Sequence, residues 1–102
     1  GNTEQAKQLY TDALAIFEQV ANPYMLLDVN LALARLLLPI DPQRAENYLQ
    51  QAKKTLNADS MPIQKLSIDE MQAELLAAQG NYTAAYTLLR QIQQRQQQLQ
   101  NQ

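Results

Sequence analysis

The sequence predicts an all-α protein, a right-handed stack of antiparallel helix pairs with five helices in about two and a half repeats. Three observations predict it. A pattern of small and large residues recurs as Ala6, Tyr10, Ala13, then Ala45, Leu49, Ala52, then Ala85, Leu89, Ile92, with steps of 39 and 40 residues between the leading alanines. Self-similarity at a long fixed period marks a repeat protein. Ala, Leu and Gln dominate the composition, all good helix formers, and there are only two glycines and four prolines. Apolar residues also fall at i, i+3, i+4 and i+7 along most segments, the stripe of an amphipathic helix.

The first helix, about 3–20, carries Ala6, Leu9, Tyr10, Ala13, Leu14, Phe17 and Val20 on its stripe, with Glu4, Lys7, Asp12 and Glu18 elsewhere. Asn22-Pro23 ends it, because the residue before a proline avoids the helical region. The second helix, about 23–38, is apolar nearly all round through Leu26, Leu27, Val29, Leu31, Leu33, Leu36, Leu37 and Leu38. Such a helix belongs in the interior, so it is placed in the middle of the stack. Asp41 caps the third helix, about 42–57, with Pro42 at its first position and a stripe of Ala45, Tyr48, Leu49, Ala52 and Leu56. Asn57 to Ser60 is a loop, with Ser60 or Asp59 expected to cap the fourth helix, about 61–79. Gly80 stops that helix in the left-handed conformation. The fifth, about 82–99, passes through Tyr82, Ala85, Tyr86, Leu88, Leu89 and Ile92 and fades into the glutamine-rich run 91–102. Ile92 and Leu99 alone are too few for a coiled-coil seam, so that run is read as a solvated end that frays.

Length allows one domain with a modest core. A formal charge of −2 and an isoelectric point near 4.9 argue against nucleic acid as a partner, which wants a basic face. All ten acidic residues precede Gly80, and the two arginines beyond it, Arg90 and Arg95, do not make a nucleic-acid arm. Arg35 interrupts the best apolar run, Leu31 to Ile40, so no membrane span is expected. No signal peptide is visible and Gly1 reads as a tag remnant, so the chain is expected to be a piece of a longer protein.

Chemistry is scarce. With no histidine and no cysteine, most metal sites, Ser-His triads and thiol nucleophiles drop out, and no disulfide can form. Gly80 is the one internal glycine, so there is no phosphate-cradling loop. Asp69, Glu70 and Glu74 could in principle do acid–base work, but the charged surface of an exposed helix accounts for them better. Asn81-Tyr82-Thr83 fits a glycosylation sequon and also a repeat turn, and the turn is preferred. The five tyrosines fall mostly on helical stripes, so core or groove packing is expected of them. The expectation is no enzyme, no cofactor and no metal.

The segment Gly80-Asn81-Tyr82-Thr83-Ala84-Ala85-Tyr86-Thr87-Leu88-Leu89 resembles the turn and second helix of a tetratricopeptide repeat (TPR), with Ala73 at the family's small position in the first helix. The preceding repeat has Pro42 where the turn tyrosine would fall, and Ile92 replaces the last small residue. The aromatic and glycine of the family's first helices are missing, and the period is five or six residues longer than usual. The chain looks most like the long, degenerate TPR-like arrays in the sensory halves of bacterial signalling proteins. Those arrays often precede a diguanylate cyclase (GGDEF) or histidine kinase domain. The resemblance implies a non-catalytic segment that binds a protein or peptide, periplasmic if it is a sensor. The alternative is a free-standing cytoplasmic adaptor or chaperone-like scaffold.

On the repeat alignment Asp28, Asn30, Glu70 and Glu74 sit on the first helices of two successive repeats and border the concave side. They are the candidate peptide groove, acidic and so suited to basic or neutral peptides. The lysine–asparagine clamp by which some TPR domains hold a C-terminal carboxylate is not reproduced. The first helix is expected to be the second half of a hairpin whose first half is missing, and its broad apolar stripe to pair with another copy in a homodimer.

Overall fold

Proline and asparagine or aspartate punctuate the chain and set its helix starts. The computed structural model describes residues 2–20, 22–57 and 59–101, the side chains of Phe17 and Val20 excepted. Five helices occupy the described residues, with no strand among them: α1 (Asn2–Val20), α2 (Pro23–Leu37), α3 (Pro42–Thr55), α4 (Pro62–Ala78) and α5 (Tyr82–Gln100). Pro23, Pro42 and Pro62 each sit at the start of a helix, where the missing amide hydrogen costs nothing. The side chains of Asn22, Asp41 and Asn81 accept hydrogen bonds from the amides of Met25, Arg44 and Ala84 at 3.1, 3.3 and 3.4 Å. At the end of α4, Gly80 has φ +81°. The Gly80 amide donates to Ala77 O and the Asn81 amide to Leu76 O, at 3.0 and 2.8 Å, the paired bonds of a Schellman turn.

Short links fold consecutive helices back on one another. The closest partners are α2 with α3 and α4 with α5, each pair a hairpin, and α4 also packs on α2 and α3. Among the described residues the other helix, α1, packs on α2 alone, its Ala6 and Tyr10 lying by Ala32, Arg35 and Leu36 around an open depression. The radius of gyration is 14.3 Å, somewhat above the ~13 Å of a rounded chain of this length, as layering in one direction requires.

The core lies where three helices meet. Leu27, Leu31 and Ala34 of α2, Leu49 and Ala52 of α3, and Ile68, Met71 and Leu75 of α4 form one cluster, with Met61 buried beneath and Leu38, Tyr48 and Leu56 at its rim. Each large side chain buried here contributes about 1.5–3 kcal/mol by leaving water. As its all-round apolar pattern predicts, α2 is interior: Val29, Leu33 and Leu37 are buried too, leaving Tyr24, Asp28 and Arg35 as its main exposed strip. The same holds for α4, buried at Leu66, Ile68, Asp69, Met71, Ala73 and Leu75 because it lies between the first hairpin and α5.

Several expectations are corrected. Neither Asp59 nor Ser60 caps α4: the cap position is Met61, without a side-chain bond, because Pro62 fixes the start and Met61 is drawn into the core. The tyrosines are mostly outside. Tyr82 is 71% and Tyr86 64% exposed, Tyr10 and Tyr24 are also exposed, and Tyr48 alone packs against the core. The glutamine-rich run is helical to Gln100 and mostly exposed, close to the expected end at about 99. The Phe17 and Val20 side chains, Ala58 in the expected loop and Gly1 lie outside the described residues.

Two leucine truncations separate core from surface. Leu49→Ala should cost about 2–5 kcal/mol in urea denaturation, since Leu49 is fully buried. Leu9→Ala, at a residue 70% exposed, should stay within about 0.5 kcal/mol. Equal losses would mean that α1 is covered in solution.

Candidate functional site

The sequence of α4 distributes three carboxylates over two faces, and the structure gives them different fates. Asp69 lies one turn from Leu66 and Ala73 on the side turned to α5 and is 6% exposed. Its Oδ1 accepts from Lys65 Nζ at 2.9 Å, one helical turn back, and its Oδ2 pairs with the Arg95 guanidinium of α5. Taking a carboxylate out of water is costly unless paired and hydrogen-bonded, and these two cations meet that need. Asp69 is therefore not part of an exposed charged face, contrary to the sequence expectation. One signal could have found it: Leu66, Asp69 and Ala73 share a single i, i+3, i+7 stripe, and Ala73 is a small contact position.

Glu70 and Glu74 point the other way, are exposed, and take part in no ion pair among the described residues. They line an open depression of about 310 Å³ with Leu89, Ile92, Gln93 and Gln96 of α5. Leu89 is 46% exposed there, whereas Ile92 is nearly covered. The depression thus has an apolar floor, one acidic wall and glutamine amides on the other side. Lys65 and Arg95 are both paired with Asp69 and not with the glutamates of the wall.

The four groove candidates are not brought together here. Glu70 and Glu74 lie in the depression, and Asp28 lies exposed on α2 beside Tyr24 and Arg35, outside its lining. Asn30 is 5% exposed, so it is not on the surface. Its Nδ2 donates back to Leu26 O at 2.9 Å, and its Oδ1 is buried without a partner. Sequence reasoning missed Leu89, Gln93 and Gln96 as surface partners of the glutamates, because the glutamine run offers no periodicity to fix which face turns toward α4. Among the described residues no group of three or more acidic side chains is disposed to hold a metal ion, and no helix is long and apolar enough to cross a membrane.

Arg95 holds the outer half of α5 against α4. Arg95→Ala should leave the buried carboxylate with Lys65 alone and cost about 1–2 kcal/mol, below the usual cost of breaking a buried pair because both cations are over a third exposed. Hydrogen exchange should quicken through residues 93–99 while α2 and α3 hold. Unchanged exchange there would show that Arg95 does not anchor the helix. Compared with known proteins, the chain matches no family model, no curated protein and no solved structure.

Proposed function

We propose that the chain is a TPR-like array in which hairpins stack with a right-handed turn, and that it serves as a non-catalytic protein- or peptide-binding segment. The observation that carries this reading is the equivalence of the two hairpins. Pro23 and Pro62 open their first helices, Asp41 and Asn81 cap their second, and Ala45 and Ala85 are buried at matching points of α3 and α5. Units that repeat and cover one another build an extended surface that suits recognition. The open, acid-walled depression on the second hairpin supplies a place for a partner.

The resemblance of Gly80 to Leu89 to a TPR turn and helix extends the proposal. The segment would belong to a larger bacterial signalling protein with a GGDEF or histidine-kinase output domain, and would pass the presence of a bound partner to it. The test is deletion of the segment from the full-length gene product. Basal cyclic dinucleotide synthesis or autophosphorylation should persist while its response to stimulus disappears. A gene that encodes no output domain, or a deletion that leaves the response intact, would overturn the signalling role.

A further inference from the structure

The two hairpins can be superposed residue by residue in their sequence registers. First helices match at a step of 39, from Pro23 to Pro62, and second helices at a step of 40, from Asp41 to Asn81. In these registers the buried polar residues Asn30 and Asp69 coincide, as do the buried alanines Ala34 and Ala73. The lining of the depression then has a counterpart at every position. Glu70 and Glu74 correspond to Leu31 and Arg35, and Leu89, Ile92, Gln93 and Gln96 to Leu49, Ala52, Lys53 and Leu56.

On the first hairpin most of those counterparts are covered, Arg35 excepted, which is exposed beside α1. Leu31, Leu49 and Ala52 are in the core cluster with Leu56 at its rim, and the element that covers them is α4, through Ile68, Met71 and Leu75. Lys53 Nζ donates to Oε1 of Gln72, also on α4. The residues α4 presents are spaced i, i+3, i+4 and i+7, one face of one helix. The described residues thus form a similar seat twice, with α4 over the first and none of them over the second.

No helix among the described residues fills the second seat in the way α4 fills the first. After Thr55 the first hairpin breaks its helix and turns back into α4, beginning at Pro62. At the matching residues, 95 to 100, α5 remains helical and carries the chain past the depression. The seats also differ in charge. Leu31 has become Glu70 and Arg35 has become Glu74, two turns of charge reversal or addition on one wall. A helix that lands here meets two carboxylates with no internal cation.

We propose that the open seat on α4 and α5 binds a basic amphipathic helix of a partner protein, docked as α4 docks on the first hairpin, an assignment that rests on the chain being an interaction segment. Its apolar residues, at i, i+3 and i+7, cover Leu89 and Ile92. A lysine or arginine at the edge of that face meets Glu70 and Glu74, and Gln93 and Gln96 bond to its polar flank. Another copy fits poorly. The outward apolar pair of α1, Leu9 and Ile16, brackets Asp12, which would be set toward the glutamates. Charge also disfavours a homodimer through α1 against α1, since both helices carry Glu4, Asp12 and Glu18 against one Lys7.

The test uses two synthetic helical peptides with leucines at i, i+3 and i+7, flanked by lysines in one and glutamates in the other. They are titrated into the isotope-labelled protein at low salt. The lysine peptide should shift the amides of Leu89, Gln93 and Gln96 and bind about tenfold more tightly than the glutamate peptide, with the gap shrinking as salt rises. The double variant Glu70→Gln with Glu74→Gln should abolish the difference, and Leu89→Asp, at a half-exposed residue, should weaken the binding of the lysine peptide without unfolding the protein. Equal affinities would overturn the charge assignment. Shifts confined to Tyr24, Asp28 and Arg35 would overturn the seat while leaving an interaction segment standing. No shift from either peptide would overturn the seat as well. Concentration-dependent shifts of Leu89 without peptide would make a second copy the occupant, against the proposal.

Discussion

Neither hairpin of this chain can bury its own apolar stripe, and the rest of the structure depends on that constraint. Leu31, Leu49 and Ala52 leave water only when Ile68, Met71 and Leu75 of α4 arrive. Small side chains at Ala34 and Ala52, both fully buried, let the helices come close enough for the larger residues to interdigitate. The same constraint makes α2 and α4 interior on several sides while α1 and α5 are covered on one.

The charge at Asp69 is the second organising element. A carboxylate between α4 and α5 would weaken an apolar contact, yet it recruits Arg95 from an otherwise featureless stretch and Lys65 from its own helix. Breaking such an arrangement by removing one partner is costly even where an apolar replacement of the whole set would be tolerated. Arg95 thereby gives the glutamine-rich half of α5 a direction. Its side chain faces α4 on the Asp69 side, which sets Gln93 and Gln96 toward Glu70 and Glu74. Local chemistry on one side of the helix pair thus prepares the other.

Helix number, helix type and the interior place of α2 were legible because they follow from patterns that a single chain carries in full. Asn22, Asp41, Gly80 and the prolines announce starts and stops by local sterics alone. What escaped depends on which neighbour a face meets. Tyr82 and Tyr86 sit at helical spacing with Leu89, which reads as a buried stripe, but no helix of the described chain lies over them. Asp69 reads as surface because it stands beside Glu70, although adjacent residues on a helix point about 100° apart. Asn30 shares the polar character of Asp28, yet its place on α2 turns it inward. That Glu70 and Glu74 lie on one exposed face of α4 was legible from their i, i+4 spacing. The glutamines of α5 that complete the depression were not, because beyond Ile92 the Arg95 contact is what marks the face turned to α4.

The isolation of α1 has a consequence for cooperativity. Among the described residues α1 touches α2 alone, while α2 is also held by α3 and α4. The free energy needed to release α1 is therefore a fraction of that needed to melt the central three helices, and the molecule has a gradient of stability rather than one value. Detachment would uncover the outer side of α2 without disturbing Leu27, Leu31 or Ala34 in the shared cluster. The contacts are those of a short zipper whose first tooth is held on one side. Its opening and closing can be set by whatever lies against α1, at an energetic scale far smaller than unfolding.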